Sequence, residues 1–316
     1  MNNDSVIRVC NLSKSYGERR ALNHLNLEIK SGELFCMLGP NGGGKSTLFR
    51  ILSTLMRPDE GEATIAGFNV VTAAAEVRAR IGVVFQSPSL DPKLTVRENL
   101  LCGGALYGLR GAELKSRLSE AVAAMHLTER LGDYVESLSG GLQRRTEIAK
   151  CLLINPEVLL LDEPSTGLDP SARLDVWAAL ETLRRERGVT ALCTTHMMEE
   201  AARADRVGIM SAGELIALGT PSELISALRG DVLSLSVASD VDRLAKEINQ
   251  RHQIIANVVE GEIRIEHPQA YALAAELAAE FPGQITALRV ARPTLEDVFI
   301  ARTGKFFAEE KVEDRK

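Results

Sequence analysis

The segment Gly39-Pro40-Asn41-Gly42-Gly43-Gly44-Lys45-Ser46-Thr47 constrains this chain more than any other. It satisfies G-x-x-x-x-G-K-[ST] directly after the apolar run Leu34–Leu38. Leu48, Ile51, Leu52 and Leu55 then recur at helical spacing. A buried strand, a glycine loop and a helix in that order call for an α/β layer fold. The glycines let the backbone curl so that its N–H groups face phosphate oxygens, and the helix adds the positive end of its dipole. Lys45 suits the β- and γ-phosphates, and the Ser46 hydroxyl suits Mg²⁺. A glycine turn that merely precedes a helix is the bland alternative. The strand and helix on either side favour a nucleotide site.

Further runs fit strands buried on both faces: Ile81–Phe85, Val158–Leu161, Thr190–Cys193 and Val207–Met210. Between Phe85 and Val158 the pattern turns helical, most clearly over Glu113–Met125 and Leu142–Ile154. The expected layout is an α/β domain over residues 1–228, with a helical insertion over about 87–157. A smaller α+β domain over 229–305 follows. There Val232–Val237, Ile254–Val259, Ile263–Ile265 and Ile285–Val290 read as strands, and Val241–Asn249 and Ala270–Ala279 as helices. That β-α-β-β-α-β order is the split-βαβ pattern of ferredoxin-like domains. Residues 306–316 form a charged tail whose end, EEKVEDRK, is expected to fray or lack order.

A net charge of −6 offers no basic field for nucleic acid, and no nucleic-acid partner is expected. The five cysteines lie far apart without a C-x-x-C pair and read as reduced core residues of a cytosolic protein. The start, MNNDSVIRVC, lacks the design of a signal peptide, and no apolar run approaches the ~18–20 residues of a membrane helix. The expectation is a soluble chain that meets a membrane through a partner.

The wholly apolar run Val158–Leu161 ends in Asp162-Glu163. Carboxylates at the end of a buried strand need partners. Beside a phosphate-binding loop, Asp162 suits Mg²⁺, and Glu163 can orient and deprotonate an attacking water. The alternative is a plain strand exit into solvent.

Upstream lies Leu138-Ser139-Gly140-Gly141-Leu142-Gln143, which resembles the LSGGQ signature of ABC ATPases with Leu142 in the fifth place. ABC-2-type exporter subunits share that departure. His196 matches the family's switch histidine, Gln86 its Q-loop glutamine, and Tyr16 its adenine-stacking aromatic. Ser165–Asp169 matches the loop after the acidic pair. The order of motifs is the family's over the first two-thirds of the chain, so the chain is identified as a P-loop NTPase with an ABC ATPase domain.

The resemblance implies that ATP contacts Tyr16, Gly39, Asn41, Gly42, Gly44, Lys45, Ser46 and Thr47. It implies Mg²⁺ held by Ser46, Gln86 and Asp162, and catalysis by Glu163 with His196 and Gln86. Two copies, expected to be identical, would sandwich ATP head to tail, with Ser139, Gly140, Gly141 and Asp169 acting across the interface. Ser139 and Asp169 also read as helix N-caps, with Pro170 as the first helical residue after Asp169.

Translation factors of this family hold two ATPase copies per chain, and DNA-maintenance members carry coiled coils. One loop, no heptads and an acidic balance favour a transporter subunit instead. The ending Pro293-Thr294-Leu295-Glu296-Asp297-Val298-Phe299 resembles ABC-2-type export subunits of the drug-resistance and nodulation type. It also reads as a capped helix, with Thr294 as N-cap. The implied partner is an ABC-2-type transmembrane permease, which would hold the chain at the cytoplasmic face of the cell membrane.

Overall fold

A computed structural model describes residues 5–304 and 307, so the charged tail expected over 306–316 lies, apart from residue 307, outside the described residues. The chain divides into two compact units between Leu215 and Ile216.

The first unit opens with two long strands, β1 (Ser5–Tyr16) and β2 (Arg19–Lys30), paired antiparallel. Their inward faces bury Ile7, Val9, Leu12, Leu25, Leu27 and Ile29. The fully buried β3 (Leu34–Leu38) leads through the glycine loop into α1 (Lys45–Leu52). Then β4 (Glu60–Ile65) and β5 (Phe68–Asn69) complete an antiparallel sheet in the order β2-β1-β4-β5. The short α2 (Ala74–Arg78) and β6 (Ile81–Val84) return the chain to a second sheet.

The expected helical insertion is present as α3 (Val96–Leu106), α4 (Gly111–Ala124) and α5 (Gly140–Leu152). Thr95 and Glu98 form a capping box that starts α3, each side chain bonding the other's backbone N–H. Next come β7 (Val158–Asp162), α6 (Pro170–Arg187), β8 (Thr190–Thr195), α7 (Met198–Ala201), β9 (Arg206–Ser211) and β10 (Glu214–Gly219). The second sheet runs β10-β9-β3-β8-β7-β6. From β9 to β6 its neighbours are parallel, with Cys36 opposite Cys193 and Leu161 opposite Cys193 in register. Strands β3 and β8 are buried along their whole length, which accounts for the unbroken apolar run of β3 and for the lack of charged residues in β8.

This strand order decides where chemistry can occur. Ligands of open parallel sheets bind beyond the carboxyl ends of the strands. The glycine loop leaves β3, His196 leaves β8, Asp162 and Glu163 end β7, and Gln86 follows β6. Four stretches distant in sequence are therefore lined up along one edge.

In the second unit, α8 (Pro221–Ser226) precedes β11 (Asp231–Val237), α9 (Val241–His252), β12 (Ala256–Val259), β13 (Glu262–His267), α10 (Ala270–Glu280), β14 (Ile285–Ala291) and α11 (Leu295–Thr303). The antiparallel sheet has the order β12-β13-β11-β14, the split-βαβ arrangement that the element order predicts. One face buries Leu233, Leu235, Ile263 and Ile265 under Leu244, Ile248, Leu273, Leu277 and Phe281 of the helical side. Thr294 and Asp297 form the capping box of α11, and Asp297 also pairs with Arg264. Because α8 packs on α11, residues 221–226 go with this unit, although the expected boundary at 228/229 lies beyond them.

Candidate functional site

The glycine loop keeps its shape because its neighbours leave no room for side chains. Gly44 sits at φ +107°, and a Cβ there would lie 2.5 Å from the Ala21 carbonyl oxygen. With Gly44 as N-cap, α1 begins without a side-chain cap, so its first N–H groups stay open to an anion. Lys45 is buried and donates through Nζ to the Gly39 and Pro40 carbonyls at 2.6 and 2.9 Å. Arg19 donates to the Gly42 carbonyl at 2.9 Å.

A cavity of ≈ 330 Å³ opens over this loop, lined by Asn41, Gly42, Gly44, Lys45, Ser46 and Thr47 together with Tyr16, Arg19, Arg50 and Glu163. Tyr16 stands at its mouth, half exposed, with its hydroxyl donating to Met56 Sδ at 3.1 Å. The strand end bearing it is braced by Asp59, which accepts from Lys14 Nζ at 2.6 Å and from the Ser15 N–H at 2.7 Å. Those two donors hold the Asp59 carboxyl below the ordinary carboxylate range.

At the end of β7, Asp162 accepts from the Thr194 hydroxyl at 2.5 Å. Burial pushes its carboxyl above the ordinary value, and adjacent Glu163 adds to the shift, while Thr194, Lys45 and Arg50 pull it back. A magnesium ion fits here by donor chemistry. The Ser46 hydroxyl, the Asp162 carboxylate and the Gln86 amide would offer it hard oxygens. Among the described residues no cluster of three or more His, Cys, Asp or Glu could hold a metal ion. Phosphate oxygens would have to complete the shell.

Glu163 is buried and takes a left-handed backbone, φ +48°, fixed by its N–H bond to the Thr194 hydroxyl at 3.0 Å. Its Oε2 accepts from Gln86 Nε2 at 3.3 Å and from Thr166 Oγ1 at 3.0 Å. Its Oε1 lies 3.2 Å from His196 Nδ1, within ion-pair distance but without the alignment of a hydrogen bond. Side chains from three loops thus meet on one carboxylate beside the cavity. Below them, buried Glu200 accepts from Ser165 and, at 2.6 Å, from Thr195, tying the loop after β7 to the end of β8. This arrangement can hold a polyphosphate and orient a water on Glu163.

Ser139, Gly140 and Gly141 are not in this cavity. Ser139 is the N-cap of α5, its hydroxyl accepting from Leu142 N–H at 3.4 Å. The two glycines allow a close approach: a Cβ on Gly140 would lie 2.8 Å from Leu168 Cδ2, and one on Gly141 2.8 Å from Ala172 Cβ. Asp169 caps α6, accepting from Ala172 N–H at 2.9 Å. The structure therefore brings together Tyr16, the glycine loop, Gln86, Asp162, Glu163 and His196, and leaves Ser139, Gly140, Gly141 and Asp169 outside the cavity. Sequence reasoning missed Arg19, Arg50, Asp59 and Thr166. Only Thr166, inside the Ser165–Asp169 match, carried a signal.

Residues 22–166 match the family described as ABC transporter. The linearmycin resistance ATP-binding protein LnrL of Bacillus subtilis (strain 168) is 37% identical over 311 residues, covering 95% of this chain and 99% of that protein. The Nod factor export ATP-binding protein I of Bradyrhizobium diazoefficiens is 38% identical over 304 residues, covering 95% and 97%. Among solved structures, a dimeric bacterial ABC transporter cassette aligns with TM-score 0.60 at 33% identity, over 68% of this chain and 98% of its own. The cbiO1 protein of Clostridium perfringens, part of an ABC transporter complex, aligns with TM-score 0.67 at 28% identity, over 79% and 96%.

Proposed function

The chain belongs to the ABC transporter family as an ATP-binding, ATP-hydrolysing subunit, and on that premise we propose how its residues divide the work. Tyr16 stacks on adenine, and the loop from Gly39 to Thr47 wraps the phosphates. Lys45 exchanges its bonds to the Gly39 and Pro40 carbonyls for bonds to phosphate oxygens. Ser46, Asp162 and Gln86 hold Mg²⁺, which neutralises charge on the phosphates when bound.

Glu163 is the base that positions water, and His196 and Gln86 hold its carboxylate and sense the terminal phosphate. The observation that carries this reading is the meeting of Gln86, Thr166 and His196 on Glu163 beside the cavity. Two identical copies close head to tail, so that Ser139–Gly141 at the start of one α5 completes the other copy's site, with Asp169 at the same interface. A helix N-terminus and a lysine then surround an anion that one copy alone leaves open. Hydrolysis removes the charge that held the copies together, and they part.

The motion is delivered to an ABC-2-type permease. Similarity to resistance and export proteins supports export as the direction. No helix among the described residues is long and apolar enough to cross a membrane. In this reading the permease holds the chain at the cytoplasmic face of the cell membrane. We assign an accessory role to the second unit, which begins at Ile216.

Glu163→Gln is expected to trap an ATP-bound dimer with little turnover, measured by size-exclusion chromatography and phosphate release. Normal hydrolysis by that variant would overturn the base assignment. Lys45→Ala is expected to weaken nucleotide binding, and unchanged affinity would remove the loop from the site. Purification of the tagged chain from membranes should bring down a multi-span protein that stimulates its ATPase.

A further inference from the structure

One turn beyond Ser139–Gly141, α5 directs a row of side chains onto the backbone of the loop that bears Gln86. Arg144 donates through Nη1 to the Phe85 carbonyl at 2.7 Å and through Nη2 to the Gln86 carbonyl at 3.2 Å. Glu147 accepts from the Ser89 N–H at 2.6 Å and, through its other oxygen, from Arg144 at 2.8 Å. One turn further, Lys150 Nζ donates to the Ser89 carbonyl at 2.8 Å. Arg144 and Glu147 are 7% and 4% exposed, so the pair is withdrawn from water.

A buried ion pair is weak evidence for stability, because desolvation offsets its attraction. What distinguishes this pair is the use of its remaining hydrogen-bonding capacity. The planar Arg144 fork spans two successive carbonyls, and Glu147 takes an N–H of the same loop. A lysine in place of Arg144 would keep the charge and lose that span. The grip falls on peptide groups, so it fixes where the loop lies whatever side chains the loop carries.

We propose that Arg144 and Glu147 are positioning residues that fasten the Gln86 loop to the helix beginning at Ser139, so that the two respond to nucleotide as one body. The inference rests on the roles proposed above for Gln86 and for Ser139–Gly141. Gln86 meets the nucleotide of its own copy, whereas Ser139–Gly141 meets that of the other. A loop drawn in by ATP at the first site therefore carries α5 toward the second, and occupancy of one site prepares the other.

The test is hydrogen exchange of the full chain, titrated with a non-hydrolysable ATP analogue and Mg²⁺. In the parent chain, peptides over 85–90 and 138–145 are expected to gain protection at the same nucleotide concentration. In the double variant Arg144→Met/Glu147→Leu, which fills the same buried space, 85–90 should respond as before. Peptides over 138–145 should then require at least about tenfold more nucleotide, a shift of about 1.4 kcal/mol. Arg144→Lys, which leaves the volume nearly intact, should show the same separation and decides the matter if the double variant fails to fold. Coincident midpoints in these variants would overturn the bracket, as would a parent in which only 85–90 responds. If neither segment of the parent responds while 39–47 does, the roles of Gln86 and Ser139–Gly141 fall, and the bracket with them.

Discussion

Tyr16, proposed above to stack on adenine, lies at a strand end that is held by a carboxylate far away in sequence. Asp59 holds the backbone of Ser15 and the side chain of Lys14, and so fixes where β1 ends. Asp59→Asn is expected to raise KM for ATP by a small factor and leave kcat in place, because the brace serves binding of substrate and transition state alike. The pH dependence has a definite sign. A carboxyl whose value is lowered in the folded chain keeps its brace at all pH above its ordinary value and loses it only as pH falls through the lowered one. The ratio of variant to parent KM should therefore stay flat from about pH 6 to 8; a ratio that drifts across this range would rule out the brace. Neither this contact nor that of Thr166 with Glu163 was legible beforehand. The lysine, serine and carboxylate become neighbours only when β1 meets the turn before β4, and nothing in residues 14–16 points to residue 59. By contrast Asp162 and Glu163 were legible, because charges at the end of the wholly apolar run Val158–Leu161 stand out, and His196 was legible through its place after a strand in the family's order of motifs.

The central strands were readable for the same reason, and their ends differ from the expected ones by only a residue or two. Strands β1 and β2 were not resolved as strands. Their faces alternate, but Asn11 and His24 adopt φ of +47° and +45°, and the irregular pairing near them breaks the period of two on which such a reading depends. Helix α5 shows how an element can obey packing against its own propensity. Alanine is the better helix former by about 1 kcal/mol, so Gly141→Ala would stabilise an isolated α5. Here the added carbon would sit 2.8 Å from Ala172 Cβ and 3.4 Å from Ala172 Cα, neither of which is the end of a flexible side chain. Gly141→Ala is therefore expected to destabilise the protein, by about 1–3 kcal/mol as overpacking does, in a chemical denaturation experiment. A more stable variant would mean that α5 and α6 separate freely.

Over the whole molecule, the split-βαβ order of the second unit was legible because each strand bounds a helix of clear periodicity. The division at Leu215 was not, since β10 and α8 carry no break in composition. The single tryptophan, Trp177, is fully buried in α6, so its fluorescence reports the first unit alone. Leu277→Ala, at a fully buried position of the second core, should cost about 2–5 kcal/mol there. Far-UV circular dichroism is expected to show an early transition in that variant while the Trp177 midpoint stays in place; a shared shift would make the chain one cooperative block. The separation of Ser139–Gly141 from the cavity over Lys45 has a kinetic consequence. If a competent site needs parts of two chains, hydrolysis by dilute protein is second order in the enzyme itself. Halving the concentration should then quarter the rate until association saturates. Two copies held on one permease escape this law, because tethering turns an encounter in three dimensions into an intramolecular step, and the rate per chain no longer depends on how much of it the cell makes.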